Sequence, residues 1–228
     1  MLIAPLADVV AGTATWRQLA DFTDEVTDLD LNGDELHLLS TRGHPRGRVL
    51  RASAKAADLS KATEVVPESM LVLQSIKRGK DGLYLQAMDG GLGRLKRLGI
   101  DDKLVDVALP FDGMLTGLAA DPTTPGAVML LSGWLTPSGV WSVDADGQVV
   151  DAGLTPKPPI DVSPFMTERR FATAKDGTRI PYDLIYRKGL KRDGSNPAFI
   201  SAYGSYGSPG YRPSFAGRTL ALIEQGAI

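Results

Sequence analysis

Short apolar runs recur along the first 160 residues with the same punctuation each time. Val26-Thr27-Asp28-Leu29-Asp30-Leu31 meets the turn Asn32-Gly33-Asp34 and is followed by Leu36-His37-Leu38-Leu39. Leu71 to Ile76 leads through Asp81-Gly82 to Leu83-Tyr84-Leu85, and Met114 to Leu118 leads through Asp121-Pro122 and Gly126 to Val128-Met129-Leu130-Leu131. A third run follows each pair, around Val49-Leu50, Leu95 to Leu98 and Val140 to Val143; a fourth stands at Glu64 to Val66, Leu104 to Val107 and Gln148 to Val150. The third runs, at Val49, Leu95 and Trp141, are spaced 46 residues apart. Alternating runs broken by Asn-Gly or Asp-Gly predict strands joined by tight hairpins, because both central positions of such turns need positive φ.

Four short antiparallel strands repeating every ~40–50 residues is the spacing of propeller blades. An evenly spaced β-sandwich is the competing reading; three units with the same four runs in the same order favour the propeller. The expected fold is therefore a partial β-propeller over residues 1–160, with blades at approximately 26–69, 70–112 and 113–157. Residues 1–25, with Trp16 in a strand-like run, read as the end of an earlier blade. A ring normally closes with four to eight blades, so the chain is expected to be an internal fragment with open strand edges.

The pattern changes where Pro156, Pro158, Pro159 and Pro164 cluster, as at a linker. Beyond them, Arg170 to Ala174 and Arg179 to Tyr186 flank Lys175-Asp176-Gly177-Thr178, a hairpin signal. Asp193-Gly194-Ser195-Asn196 then turns into a short apolar run at 197–202, read as a buried strand. A tyrosine- and glycine-rich loop follows, and then a helix that Ser214 could cap and Gly226 could end. A new strand is expected at Ala227-Ile228. Hairpin, strand, loop, helix, strand is how a mixed α/β sheet begins, so residues 161–228 are expected to be a second domain.

Composition narrows the function without naming it. With 25 basic and 27 acidic residues among 228, the formal charge of −2 offers no electrostatic reason for a nucleic-acid or anionic-membrane partner. Cysteine is absent, which removes disulfides, thiolate metal sites and cysteine nucleophiles. Met1 to Gly12 lacks the basic start of a signal peptide, and no apolar window approaches a membrane span. A soluble protein, cytoplasmic or periplasmic, with no cofactor and no metal, is the expectation.

The candidate chemistry lies in Phe199-Ile200-Ser201-Ala202-Tyr203-Gly204-Ser205-Tyr206-Gly207. In open α/β sheets ligands bind beyond the carboxyl ends of strands, which is where this loop would sit. Ser205 is a poor nucleophile candidate. The strand-to-helix elbow needs glycine two residues before the serine, where this chain has Tyr203, and the two histidines, His37 and His44, lie far upstream. Both are read as structural. Donation of hydrogen bonds to a developing oxyanion suits the loop better. Gly90-Gly91-Leu92-Gly93 reads as a hairpin turn, since it lies between strands and lacks the third glycine of a dinucleotide loop.

Lys175-Asp176-Gly177-Thr178-Arg179-Ile180-Pro181, then Lys188-Gly189, Asp193 to Phe199 and Tyr203-Gly204-Ser205-Tyr206-Gly207, resemble the prolyl oligopeptidase family of serine peptidases across roughly residues 165–228. That resemblance implies a propeller capping an α/β-hydrolase domain with a Ser-Asp-His triad, acting on short peptides, monomeric when intact, with cleavage after proline. It implies that Tyr203 supplies a side-chain donor to the oxyanion hole and that Tyr206 lines the pocket for the residue before the cleaved bond. Prolyl-specific members usually carry phenylalanine at the second position, and Tyr-Gly-Ser-Tyr-Gly is also similar to oligopeptidase B enzymes, which cut after basic residues. The family's nucleophile, aspartate and histidine would fall beyond Ile228, so the 228 residues alone are expected to be inactive. A non-catalytic propeller binding module is the alternative from a different class.

Overall fold

Two of the predicted hairpins close on glycines in backbone conformations that ordinary side chains avoid. Gly33 has φ +63°, and Gly90 and Gly91 have φ +53° and +90°, closing two-residue turns between the pairs Asn32–Glu35 and Asp89–Leu92. The glycine-rich stretch at 90–93 is thus the hairpin turn expected of it. The structure, a computed structural model, describes residues 1–155, 157, 160–203, 212–215 and 217–228.

Three four-stranded antiparallel sheets follow one another, each built in strict sequence order. The first contains β3 (Val26–Asn32), β4 (Glu35–Ser40), β5 (Arg48–Ser53) and β6 (Thr63–Val66). The second contains β7 (Val72–Gly79), β8 (Gly82–Asp89), β9 (Leu92–Gly99) and β10 (Leu104–Val107). The third contains β11 (Met114–Asp121), β12 (Thr124–Ser132), β13 (Gly139–Val143) and β14 (Val149–Asp151). The opening strand of every sheet carries a register shift near its start, at Val26/Asp28, Leu73/Ser75 and Leu115/Gly117. A bulge bends and twists its strand, and its recurrence makes the three units structural repeats. Upstream, β1 (Leu2–Ile3) pairs only with β2 (Arg17–Gln18), with the short helix α1 (Leu6–Val10) between them.

Side-chain parity stacks the sheets face to face. Leu83, Leu85 and Ala87 of β8 join Leu39, Val49 and Val66 of the first sheet, together with Leu73, Ile76 and Leu98. Tyr84, on the opposite face of β8, joins Leu95 and Val107 and meets Leu115, Ala127, Met129, Leu131 and Val143 of the third sheet. The outer face of the first sheet is covered by the N-terminal segment, with Leu19 and Ile3 packed on Leu36 and Leu38. On the third sheet the far face of β12 leaves Val128 and Leu130 exposed.

Polar clamps cross both seams. Asp28 accepts from the Ile76 N–H (3.0 Å), the Ser75 hydroxyl (2.8 Å) and Lys77 Nζ (3.1 Å), while Asp30 accepts from the Arg78 N–H (2.9 Å). At the second seam Asp81 accepts from the Gly126 N–H (2.9 Å), the Tyr84 hydroxyl (2.7 Å) and Arg97 Nη1 (2.8 Å), and Arg97 also reaches the Ala145 carbonyl. Burial pushes the Asp81 carboxyl up, but these donors together outweigh it and hold it below the ordinary carboxylate value. Burial, then donation to Asp81, pushes the Tyr84 hydroxyl up to about 12.

Beyond the proline cluster, β15 (Phe165–Thr173) and β16 (Arg179–Arg187) form a nine-pair hairpin. On its surface Glu168 accepts from Tyr186 Oη (2.8 Å), Arg170 Nε (2.7 Å) and Arg192 Nη1 (2.7 Å), which hold its carboxyl down at about 2. The helix α2 (Gly217–Glu224) buries Leu220 and Ile223 against Phe165, with Leu135, Val162, Ile185 and Phe215 at the margin. It ends as expected at Gly226 (φ +90°), whose N–H donates to Ile223 while Ala227 donates to Leu222, the paired bonds of a Schellman cap. Ser214 stands before a helix start that includes a residue outside those described. The buried strand expected at 197–202 is not formed: Phe199 and Ile200 are 60% and 88% exposed. Among the described residues its backbone bonds to Ile228 alone, and one neighbour cannot cover two faces. Among the described residues no helix is long and apolar enough to cross a membrane.

Gly93 donates its N–H to the Gly113 carbonyl at 2.7 Å, and a Cβ there would lie 2.6 Å from Leu115 Cβ and 2.7 Å from the Leu115 nitrogen. Gly93→Ala is expected to lower stability by about 1–3 kcal/mol in urea unfolding. Gly117→Ala, whose added methyl would find only ordinary contacts from 3.4 Å outward to Leu130, is expected to cost less. Equal losses would show that the seam yields freely at Gly93.

Candidate functional site

Tyr203 follows a segment, 197–199, whose backbone partner among the described residues is Ile228. The Phe199 N–H donates to the Ile228 carbonyl (2.9 Å), and the Ile228 N–H donates to the Pro197 carbonyl (2.9 Å). A residue whose N–H and carbonyl bond to positions two apart on its neighbour is paired in the parallel sense. Parallel neighbours need a crossover, and α2 lies in the connection. Tyr203 therefore stands four residues past this parallel contact, whose two sides are joined through α2, and is 53% exposed. Tyr206 and Ser205 lie outside the described residues.

The segments flanking the loop are held against the third sheet. The buried Ser132 hydroxyl, at the end of β12, donates to the Pro213 carbonyl (3.3 Å). Trp134, in the connection after β12, donates its indole Nε1–H to Asp183 Oδ2 (3.0 Å) on β16. Arg169 on β15 grips the same carboxylate through Nε (2.8 Å) and Nη2 (3.0 Å). Asp183 is thus shared between a cross-strand arginine and a tryptophan from the propeller side, and Leu135 packs beside Phe165, Leu220 and Ile223. Sequence reading passed over Trp134 and Asp183. The signal that could have found them is a tryptophan flanked by Gly133 and Leu135 where the other repeats have no aromatic.

Both histidines lie in or beside the first sheet. His37 is 1% exposed on β4, where its Nε2 accepts from Arg51 Nε at 3.4 Å. His44 sits in the turn after β4 with Nδ1 at 3.5 Å from Glu68. Neither is brought to the Tyr203 segment by any contact among the described residues. No group of three or more His, Asp or Glu suited to a metal ion occurs among the described residues. What the described residues offer chemically is an exposed phenol, a hydrogen-bond donor.

Residues 6–150 match the prolyl oligopeptidase N-terminal β-propeller domain. Over 211 residues the chain is 25% identical to the prolyl endopeptidase of Elizabethkingia meningoseptica, covering 92% of this chain and 30% of that protein. Among solved structures it is similar to prolyl oligopeptidase B from Galerina marginata, with TM-score 0.77, 18% identity and coverage of 93% of this chain and 31% of that one. Oligopeptidase B from Trypanosoma brucei with covalently bound antipain gives TM-score 0.69 at 20% identity, covering 87% and 30%. The chain spans about 30% of the length of these relatives.

The Trp134–Asp183–Arg169 clamp makes a coupled prediction. Asp183→Ala is expected to cost about 1.5–3 kcal/mol, the usual worth of hydrogen bonds to a charged group, and Trp134→Phe about 1 kcal/mol. In a double-mutant cycle the two should couple by at least about 0.5 kcal/mol. Additive losses in urea unfolding would mean that the indole contributes nothing to holding the hairpin.

Proposed function

This chain belongs to the prolyl oligopeptidase family, and we propose that it forms part of a serine-type oligopeptidase that hydrolyses short peptides by acyl transfer, with cleavage after proline. In this reading residues 1–160 are propeller, in blades near 26–69, 70–112 and 113–157, and residues 161–228 are the first part of an α/β-hydrolase domain. The carrying observation is the parallel pairing of 197–199 with Ile228 across α2. It supports a doubly wound sheet, whose ligands lie beyond strand carboxyl ends, where Tyr203 would stand in this reading.

Tyr203 would donate its phenolic hydrogen to the oxyanion of the tetrahedral intermediate. Such a donor acts where charge develops and so favours the transition state over bound substrate. Tyr206 would line the pocket for the residue before the cleaved bond, and the propeller would limit access to short peptides. The 228 residues alone are inactive in this reading, since both histidines serve the first sheet and leave no base for a nucleophile. The proposed parent is a monomeric enzyme of the cytoplasm or periplasm with peptides as partners and neither nucleic acid nor membrane. A second reading, cleavage after basic residues, draws on tyrosine rather than phenylalanine at 206 and on the likeness to the trypanosomal oligopeptidase B fold.

Two measurements test this. The purified 228-residue chain should release no product from proline- or arginine-containing fluorogenic peptides. In an enzyme joining these residues to a catalytic serine, aspartate and histidine, Tyr203→Phe should lower kcat by ~10²–10³ with little change in KM. Turnover unaffected by that substitution would remove the oxyanion role, and the ratio of proline to arginine cleavage decides between the two specificities.

A further inference from the structure

His37 stands in a transverse row across the first sheet, opposite Asp30 on β3 and Arg51 on β5. The row faces the second sheet. Asp30 accepts the Arg78 N–H from β7, and Arg51 forms a two-pronged ion pair with Asp102 in the turn between β9 and β10. One carboxylate, Glu35, serves three cations or potential cations: it lies 3.5 Å from Arg78 Nη1, 3.7 Å from Arg51 Nε and 3.8 Å from His37 Nε2. The imidazole is sealed from water, and its Nε2 lone pair is the acceptor for Arg51 Nε.

We infer that protonation of His37 loosens the seam between the first two sheets at the end where Arg51 and Arg78 cross it. A proton on Nε2 removes the acceptor from Arg51. The new cation, out of reach of water, must then draw on Glu35, the carboxylate that ties Arg78 of the second sheet to the first. The first sheet loses the bond that steadies Arg51, the residue that reaches Asp102 across the seam, and the seam shares the Glu35 carboxylate that held Arg78.

The direction of titration agrees. Burial lowers the His37 value below 6.5; Glu35 and Asp30 pull it up, while Arg51 and Arg78 push it down, and the net shift is downward. A base held neutral by the fold stabilises the fold above its ordinary value near 6.5, and that contribution is lost as pH falls through its lower folded value. Within that window the folding equilibrium falls by up to about tenfold per pH unit.

The 228-residue chain carries only two histidines, so each ring can be followed by NMR, with His44→Gln giving the assignment. Between pH 7.5 and 5 the His37 ring should titrate below 6.5. Amide exchange at Ile76 and Arg78, on the seam, should accelerate before that of Leu131 in the third sheet. His37→Gln, which keeps an acceptor for Arg51 and does not titrate, should flatten the acid slope of unfolding between pH 6.5 and 5, while His44→Gln keeps it. A His37 ring titrating at 6.5 or above, exchange rising equally at Leu131, or an unchanged slope in His37→Gln would each overturn the inference. If His37→Gln does not fold, the ring titration and the exchange order in the unsubstituted chain still decide.

Discussion

Burial of both faces of β8 is the constraint on which the rest of the structure depends. Leu83, Leu85 and Ala87 look into one seam and Tyr84 into the other, so a single strand carries apolar side chains at neighbouring positions instead of alternating with polar ones. That is the pattern of a strand covered on both sides. It obliges the first and third sheets to lie on opposite faces of the second. The one long polar side chain in this stretch, Gln86, is satisfied within the second seam by donating to the Leu115 carbonyl at 2.8 Å. A buried amide left unpaired there would oppose the packing it sits in.

The third sheet inherits its position from that stack and passes it on. Its strand β12 is fixed on one face by Met129 and Leu131, and at its carboxyl end it presents Ser132 and the Trp134–Leu135 connection to the C-terminal residues. The hairpin β15–β16 and α2 have a small core of their own, centred on Phe165, Leu220 and Ile223. Their orientation toward the propeller rests on a few specific contacts, chiefly the carboxylate of Asp183 held from two sides. The segment before Tyr203 is tied in turn to Ile228, at the end of the helix that this small core holds.

The strands and turns of the repeat were legible in the sequence because alternation and Asn-Gly or Asp-Gly punctuation are local signals. The Asp28 and Asp81 clamps were not, since nothing in a carboxylate's neighbours in sequence says that it will cap backbone N–H groups 45 to 48 residues away. His37 was legible only in part. Its parity places it opposite Leu36 and Leu38, but whether that face meets water or another sheet depends on the stacking. The run at 197–202 differs from its apolar composition for a related reason: composition suggests burial, whereas Phe199 and Ile200 have one neighbour among the described residues and remain exposed. Tyr203 was reached through resemblance rather than periodicity.

Besides the Ser75 and Lys77 side chains that Asp28 takes, Asp28 and Asp81 each reach across a seam to a main-chain N–H group, at Ile76 and Gly126. Every residue but proline offers that donor, so the receiving strand can change nearly all its side chains without releasing the grip. The main-chain part of the grip makes its demand on the carboxylate, not on the side chain that receives it. A lineage can then rewrite its blades extensively while each keeps its seat against the next, which accords with a shared architecture persisting at 18% identity.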